Sequence, residues 1–219
     1  SKEYSELEPG KILENVETGD MLQKQDESVW NRSVFSEIES NLTEKFAVTG
    51  GLRYDWFSFE VDDKLQSGGI DYSGNRTMEN LSPMFSILYK ISPLTSLYTL
   101  YSSAFQTPTT TELGNRPDDA GGFNQNLNPE KIHNYEIGFK GFEPTRHIQF
   151  SFATYILNIT DMLIPYQVSS ESEEIYYRNS GKTQNKGFET AIDWIPVSFF
   201  IVNLAYTFSQ FLFKDYPLD

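Results

Sequence analysis

The sequence predicts an all-β chain, an antiparallel transmembrane β-barrel wall of about eight strands. Three observations carry that expectation. Successive stretches alternate apolar and polar residues with period two, as a two-faced strand does. Short turns join these stretches in pairs, whereas long polar loops join one pair to the next. Aromatic residues make up 15 % of the chain, as 13 Tyr, 17 Phe and 3 Trp, although mean hydropathy is only −0.46. Aromatic and β-branched residues favour strands. No apolar run approaches the ~20 residues of a membrane helix, so a chain of this composition could cross a bilayer only as strands.

The elements follow in order. Residues 1–28 form a polar opening, expected as an extracellular loop or partly ordered segment; SKEYSELEPG at its start lacks the apolar core of a signal peptide. Barrel wall is expected over residues 29–219. The first pair is VWNRSVFSEIESN and KFAVTGGLRYDWFSF around the turn LTE. In its second member Phe46, Val48, Leu52, Tyr54 and Trp56 share one face, and Ala47, Thr49, Gly51, Arg53 and Asp55 the other. The second pair, MENLSPMFSILYKI and SLYTLYSSAF, turns at SPLT, with Leu81, Phe85, Ile87, Tyr89 and Ile91 on one side. The third, KIHNYEIGFKGF and HIQFSFATYILNIT, turns at EPTR. The fourth, IYYRNSGKTQNKGFETAIDWI and FFIVNLAYTFSQF, turns at PVS.

Between pairs run EVDDKLQSGGIDYSGNRT, QTPTTTELGNRPDDAGGFNQNLNPE and QVSSESEE. Short turns on one edge and long loops on the other suit an outer-membrane barrel, and a soluble sandwich permits them too. Strand length favours the barrel, because several stretches exceed the typical soluble strand of about 5–6 residues. So does the placing of Trp56, Phe57, Tyr89, Tyr98, Tyr101, Tyr176, Tyr177 and Trp194 near strand ends, where boundary girdles lie. A soluble carbohydrate-binding β-sandwich and a self-contained eight-stranded barrel stay open at this point.

Charge and composition exclude several functions. With 17 Lys+Arg against 31 Asp+Glu, the net charge of −14 argues against a nucleic-acid partner. There is no cysteine for a thiolate metal site, a disulfide or a thiol nucleophile. His133 and His147, the two histidines, lie far from any indicated nucleophile, so no catalytic residue, enzyme activity or cofactor is expected. Asp118 and Asp119 fall short of the 6–8 oxygens a Ca²⁺ site requires, and no metal site is expected. Glu136 and Glu189 lie on the polar sides of their strands, where an outward carboxylate would be costly in lipid. Both are therefore expected to face the lumen in a polar network, with Arg53 as a candidate partner.

Four stretches resemble the TonB-dependent outer-membrane receptors. GGLRYDWF is similar to that family's G-L-R-Y-D strand, and AFQTPTTTEL to its G-F-R-x-P-x-x-x-E-L stretch. NLNPEKIHNYEIGFKG is similar to N-P-x-L-x-P-E-x-x-x-x-Y-E-x-G. FATYILNITDMLIPY through YRNSGKTQNKGFE is similar to the strand ending in D-x-I and the return strand with N-x-G…G-x-E. They occur in the family's order.

The resemblance implies a late part of a barrel of about 22 strands, which at about 27 residues per strand would need roughly 600 residues. It implies residence in the outer membrane of a Gram-negative bacterium, among outer-membrane lipid and lipopolysaccharide. It further implies energy-coupled uptake of a scarce nutrient, with a ferric siderophore the leading metal-chelate ligand and cobalamin, copper and sugar open. The TonB complex would act through a plug domain, which is not expected within this chain. Haem receptors of the family carry a His in the interval corresponding to Thr109–Gln125, and none stands there. Ligand contacts are expected from the loop residues Tyr72, Arg116, Tyr166 and Tyr177.

Overall fold

The computed structural model describes residues 24–66, 69–118, 120–168 and 174–215. Eight strands form a single antiparallel sheet in chain order. They are β1 (Gln25–Asn41), β2 (Phe46–Asp63), β3 (Gly74–Ser92), β4 (Thr95–Gln106), β5 (Glu130–Glu143), β6 (Ile148–Tyr166), β7 (Tyr176–Val197) and β8 (Phe200–Asp215). One helical turn, α1 (Thr110–Gly114), interrupts the connection from β4 to β5. Of the stretch 1–28 expected as a loop, residues 1–23 lie outside the described residues, and β1 already begins at Gln25.

Residues paired directly across strands share a face, so the register reads the wall row by row. One row runs through all eight strands as Ser40, Val48, Ile87, Thr99, Ile137, Thr154, Phe188 and Phe208. The row beside it, on the opposite face, is Glu39, Thr49, Ser86, Leu100, Glu136, Tyr155, Gly187 and Ser209. Mostly apolar residues on one side and mostly polar ones on the other is the pattern of a wall between hydrocarbon and water.

The outward apolar band covers Phe46–Tyr54 on β2 and Phe200–Phe208 on β8, each about the length that crosses a bilayer. Its centre lies at Gly50 on β2 and at Leu204 on β8, six residues, or three same-face rows, below Gln210, which stands in register with Gly50. Three such rows are about 20 Å along a strand, and the six strand spacings between are about 29 Å across. The strands therefore lean about 35° from the membrane normal, within the range of outer-membrane barrels.

A sandwich would seal the apolar faces against each other. Instead Phe85 is 48 % and Leu204 61 % exposed on a single sheet, so the sandwich reading is set aside. The strand order does not join β8 to β1, so neither is the sheet a closed eight-stranded barrel. Four of the residues read as boundary aromatics are corrected. Tyr98 pairs with Gly138 on the inner face, Tyr176 is buried under the loops, and Phe57 and Tyr177 pack against the core beneath the β4–β5 connection.

The wall has one gap. The β3–β4 ladder ends at Met84–Ser102, next to Pro83, which has no N–H to donate. Above that point β3 and β4 are no longer paired, and the β4–β5 connection covers the inner face of β2 and β3.

Arginine at an outward mid-band position costs about 2–4 kcal/mol, whereas inward positions tolerate it. Phe85→Arg in the full receptor should therefore lower the urea midpoint for unfolding from bilayers, and Ser86→Arg, one residue on, should leave it nearly unchanged.

Candidate functional site

The outer mouth is organised by the connection 107–129. Thr109 caps α1 with a capping box: the Glu112 N–H donates to Thr109 Oγ1 at 3.2 Å, and the Thr109 N–H to Glu112 Oε2 at 2.7 Å. The signature T-x-x-E stands in TTTEL, so this turn was legible although only irregular chain was expected there. The cap points Leu113 into a small core with Phe59, Val61, Met78, Phe123 and Leu127, where Leu113 is 0 % exposed. The inner face of β2 thus turns apolar above Asp55, because a loop rather than water lies against it.

Polar ties hold the connection to the wall. Thr110 Oγ1 donates to Glu27 at 2.5 Å, the Asn128 N–H to Asn179 Oδ1 at 2.6 Å, and Asn115 Nδ2 to the Ile175 carbonyl at 3.1 Å. Gly121 has φ +68, and a Cβ there would lie 2.1 Å from the Asp71 carbonyl oxygen. Only glycine lets these two loops approach so closely.

Below this packing, Asp63 ends β2 and accepts from the N–H groups of Leu65 at 2.9 Å, Gln66 at 3.2 Å and Tyr72 at 3.3 Å. These bonds, Leu65 first, hold its carboxyl below the usual carboxylate range.

Tyr72, Arg116 and Tyr177 meet in one open pocket of about 440 Å³ with Asn115, Glu174 and Tyr176. Tyr166 stands beside it, its ring 6.0 Å from that of Tyr176 and 5.0 Å below the Arg178 guanidinium; Tyr166 and Tyr177, expected in loops, end β6 and begin β7. Arg116 already binds both Asp118 oxygens, at 2.9 and 2.6 Å, and donates to the Gly121 carbonyl at 2.9 Å. Asp118 raises the pKa of Arg116, and Arg116 holds the Asp118 carboxyl low. Arg116 is therefore the staple of its own loop, and Tyr72, Tyr176 and Tyr177 supply the aromatic lining of the pocket. Tyr176 and Glu174, joined by a hydrogen bond, were not among the expected residues.

The inner wall carries a second concavity, of about 350 Å³, lined by Tyr98, Glu136, Lys140, Tyr155, Glu189 and Thr207. Tyr98 lies flat over Gly138, where a Cβ would meet its ring at 2.3 Å, and donates to Glu136 at 2.6 Å. At Gly187 a Cβ would meet the Phe208 carbonyl oxygen at 2.1 Å and the tip of the Tyr155 ring at 3.0 Å. Gly138 makes room for an aromatic ring on the pleat. Arg53 joins neither carboxylate. It forms a bidentate pair with Asp55, both contacts 2.8 Å, and Asp55 is 2 % exposed.

Comparison with known proteins bears on the whole sheet. A family model described as TonB dependent receptor-like, beta-barrel matches residues 9–219. The chain is 31 % identical over 172 residues to the Ferrioxamine B receptor of Salmonella typhimurium, covering 78 % of this chain and 22 % of that protein. Among solved structures, the ferric-catecholate import receptor Fiu of E. coli K12 superposes with TM-score 0.67 at 16 % identity, covering 87 % of this chain and 29 % of that one. The copper transporter OprC gives 0.66 at 20 % identity, covering 84 % and 29 %. At such identities the structural likeness speaks for the fold alone.

Leu113→Ala should cost the loop core about 2–5 kcal/mol, read in the full receptor as faster proteolytic nicking within 107–129 and unchanged barrel unfolding. The lowered Asp63 pKa sets the sign of a pH effect. Its stabilisation is complete above the ordinary carboxylate pKa and is lost as pH falls through the lower folded value. Amide protection at Leu65 and Tyr72 should hold from pH 7 to 5 and fade only below about 4. Asp63→Asn should abolish that acid step in hydrogen exchange.

Proposed function

The chain belongs to the TonB-dependent receptor β-barrel family, and from that premise we propose that it supplies wall and outer mouth to a receptor that imports a ferric siderophore. The observation that carries the cargo reading is the 31 % identity to a ferrioxamine B receptor. The mouth supports it physically. A tyrosine-rich pocket of about 440 Å³ suits part of an organic chelate, which aromatic faces and a few hydrogen bonds can hold. Lys64 and Arg116, the cations of the β2–β3 and β4–β5 loops, are already paired with Asp62 and Asp118. Recognition therefore rests on rings and hydroxyls more than on charge.

The chain spans 22 % of the Salmonella relative's length, so uptake is assigned to the whole receptor. We assign no chemical step to it. The inner concavity, with Glu136 and Glu189 in adjacent rows, faces whatever fills the barrel. In this reading that is a plug domain, which an inner-membrane TonB complex pulls on to release the cargo. The carboxylates would meet cationic groups of the plug.

A strain lacking the full receptor should grow poorly under iron limitation on the one ferric chelate, among hydroxamate, catecholate and citrate types, that the receptor imports. Tyr72→Ala with Tyr177→Ala should weaken binding of that chelate about tenfold or more. Growth equal to the parent strain on every chelate, with no binding of any, would overturn the cargo assignment.

A further inference from the structure

The outward face of β1–β3 carries a feature that cargo uptake does not use. On this side the last fully apolar row is Val34, Tyr54 and Leu81. The next row towards the long loops is Arg32, Trp56 and Glu79, and the one beyond is Trp30, Ser58 and Thr77. These two rows enclose an outward cleft of about 510 Å³ lined by Trp30, Arg32, Trp56, Phe57, Ser58 and Thr77. It lies where the hydrocarbon band gives way to the headgroup layer of the outer leaflet.

An arginine on a lipid-facing surface is tolerated near the interface and is costly deeper in the bilayer. In the same row Glu79, across Trp56, is already engaged by the Tyr54 hydroxyl at 2.7 Å. A planar guanidinium presents a fork of donors that matches a phosphate. Ser58 and Thr77 place hydroxyls one row above it. Trp30, 63 % exposed, and Trp56 offer apolar rings with a polar N–H edge, the amphipathic shape suited to a boundary between acyl chain and sugar.

We propose that this cleft holds a phosphate of the phosphorylated glycolipid of the outer leaflet, with Arg32 as the charged ligand, Ser58 and Thr77 as hydrogen-bond donors, and the two tryptophans packed against sugar and acyl chain. The site faces lipid and lies on the opposite side of the wall from the chelate pocket. It depends on the placement of the sheet in the membrane and not on the identity of the cargo.

The test uses the full receptor purified in mild detergent, with bound glycolipid counted by native mass spectrometry after adding lipid A, with or without its phosphates removed, or phosphatidylglycerol. Arg32→Gln should reduce binding of phosphorylated lipid A about tenfold and leave binding of the dephosphorylated form unchanged. Arg32→Lys should retain part of it. Heat-modifiable gel mobility confirms that each variant is a folded barrel, and Ser58→Ala with Thr77→Val gives a second, milder loss. Undiminished lipid A binding by folded Arg32→Gln, or equal binding of the dephosphorylated lipid by the unaltered protein, would overturn the site. Equal affinity for phosphatidylglycerol would overturn its assignment to glycolipid. Chelate binding is unaffected in every arm, so failure here is distinguishable from failure of the cargo reading.

Discussion

Every strand of this wall separates two solvents, and the rest of the structure depends on that constraint. A backbone in hydrocarbon must satisfy its N–H and C=O groups within the sheet, which leaves only side chains to adapt to their surroundings. Because side chains alternate, a slip of one residue in register would turn Phe85 and Ile87 inwards and Ser86 towards lipid. The long ladders from β1 to β8 prevent such a slip, and the shift of the apolar band from β2 to β8 shows the sheet leaning as a closed barrel requires.

The same constraint explains where the wall departs from simple alternation. Inner positions may be apolar wherever protein lies against them, and Phe59, Val61 and Met78 are apolar because α1 and the loop following it cover them. The β3–β4 ladder stops beside Pro83, and the loop packs against the inner face of β2 and β3. On the inner face, Tyr98 over Gly138 and Tyr155 beside Gly187 line a common concavity with Glu136 and Glu189. The outward face has its own exception in Arg32, placed at the edge of the band where a cation is tolerated.

Much of this was legible in the sequence, and what was not has identifiable causes. Period-two patterning located all eight strands and the faces of Val48 and Ile87, because burial in lipid leaves an alternating record. Strand ends were less legible: β6 runs on to Tyr166 and β3 starts at Gly74, since polar residues above the membrane carry no lipid signal. Tyr98 was read as a boundary aromatic because an isolated sequence does not reveal that Gly138 sits across from it. Arg53 was matched with the carboxylates of other strands, while its partner, Asp55, is two residues away on the same face. The meeting of Tyr72, Arg116 and Tyr177 depends on how two loops and the start of β7 converge, which no local pattern encodes.

The most direct test of the two-solvent wall is a cysteine scan of the full receptor along β3, from Leu81 to Tyr89, in native outer membranes. Each site would be labelled with a fluorophore and quenched in turn by a lipid-soluble and a water-soluble agent. Odd positions, Leu81, Phe85, Ile87 and Tyr89 among them, should respond to the lipid-soluble quencher. The even positions Ser82, Met84, Ser86 and Leu88 should be protected from it. Loss of the two-residue period, or the same period with its phase reversed, would contradict the account.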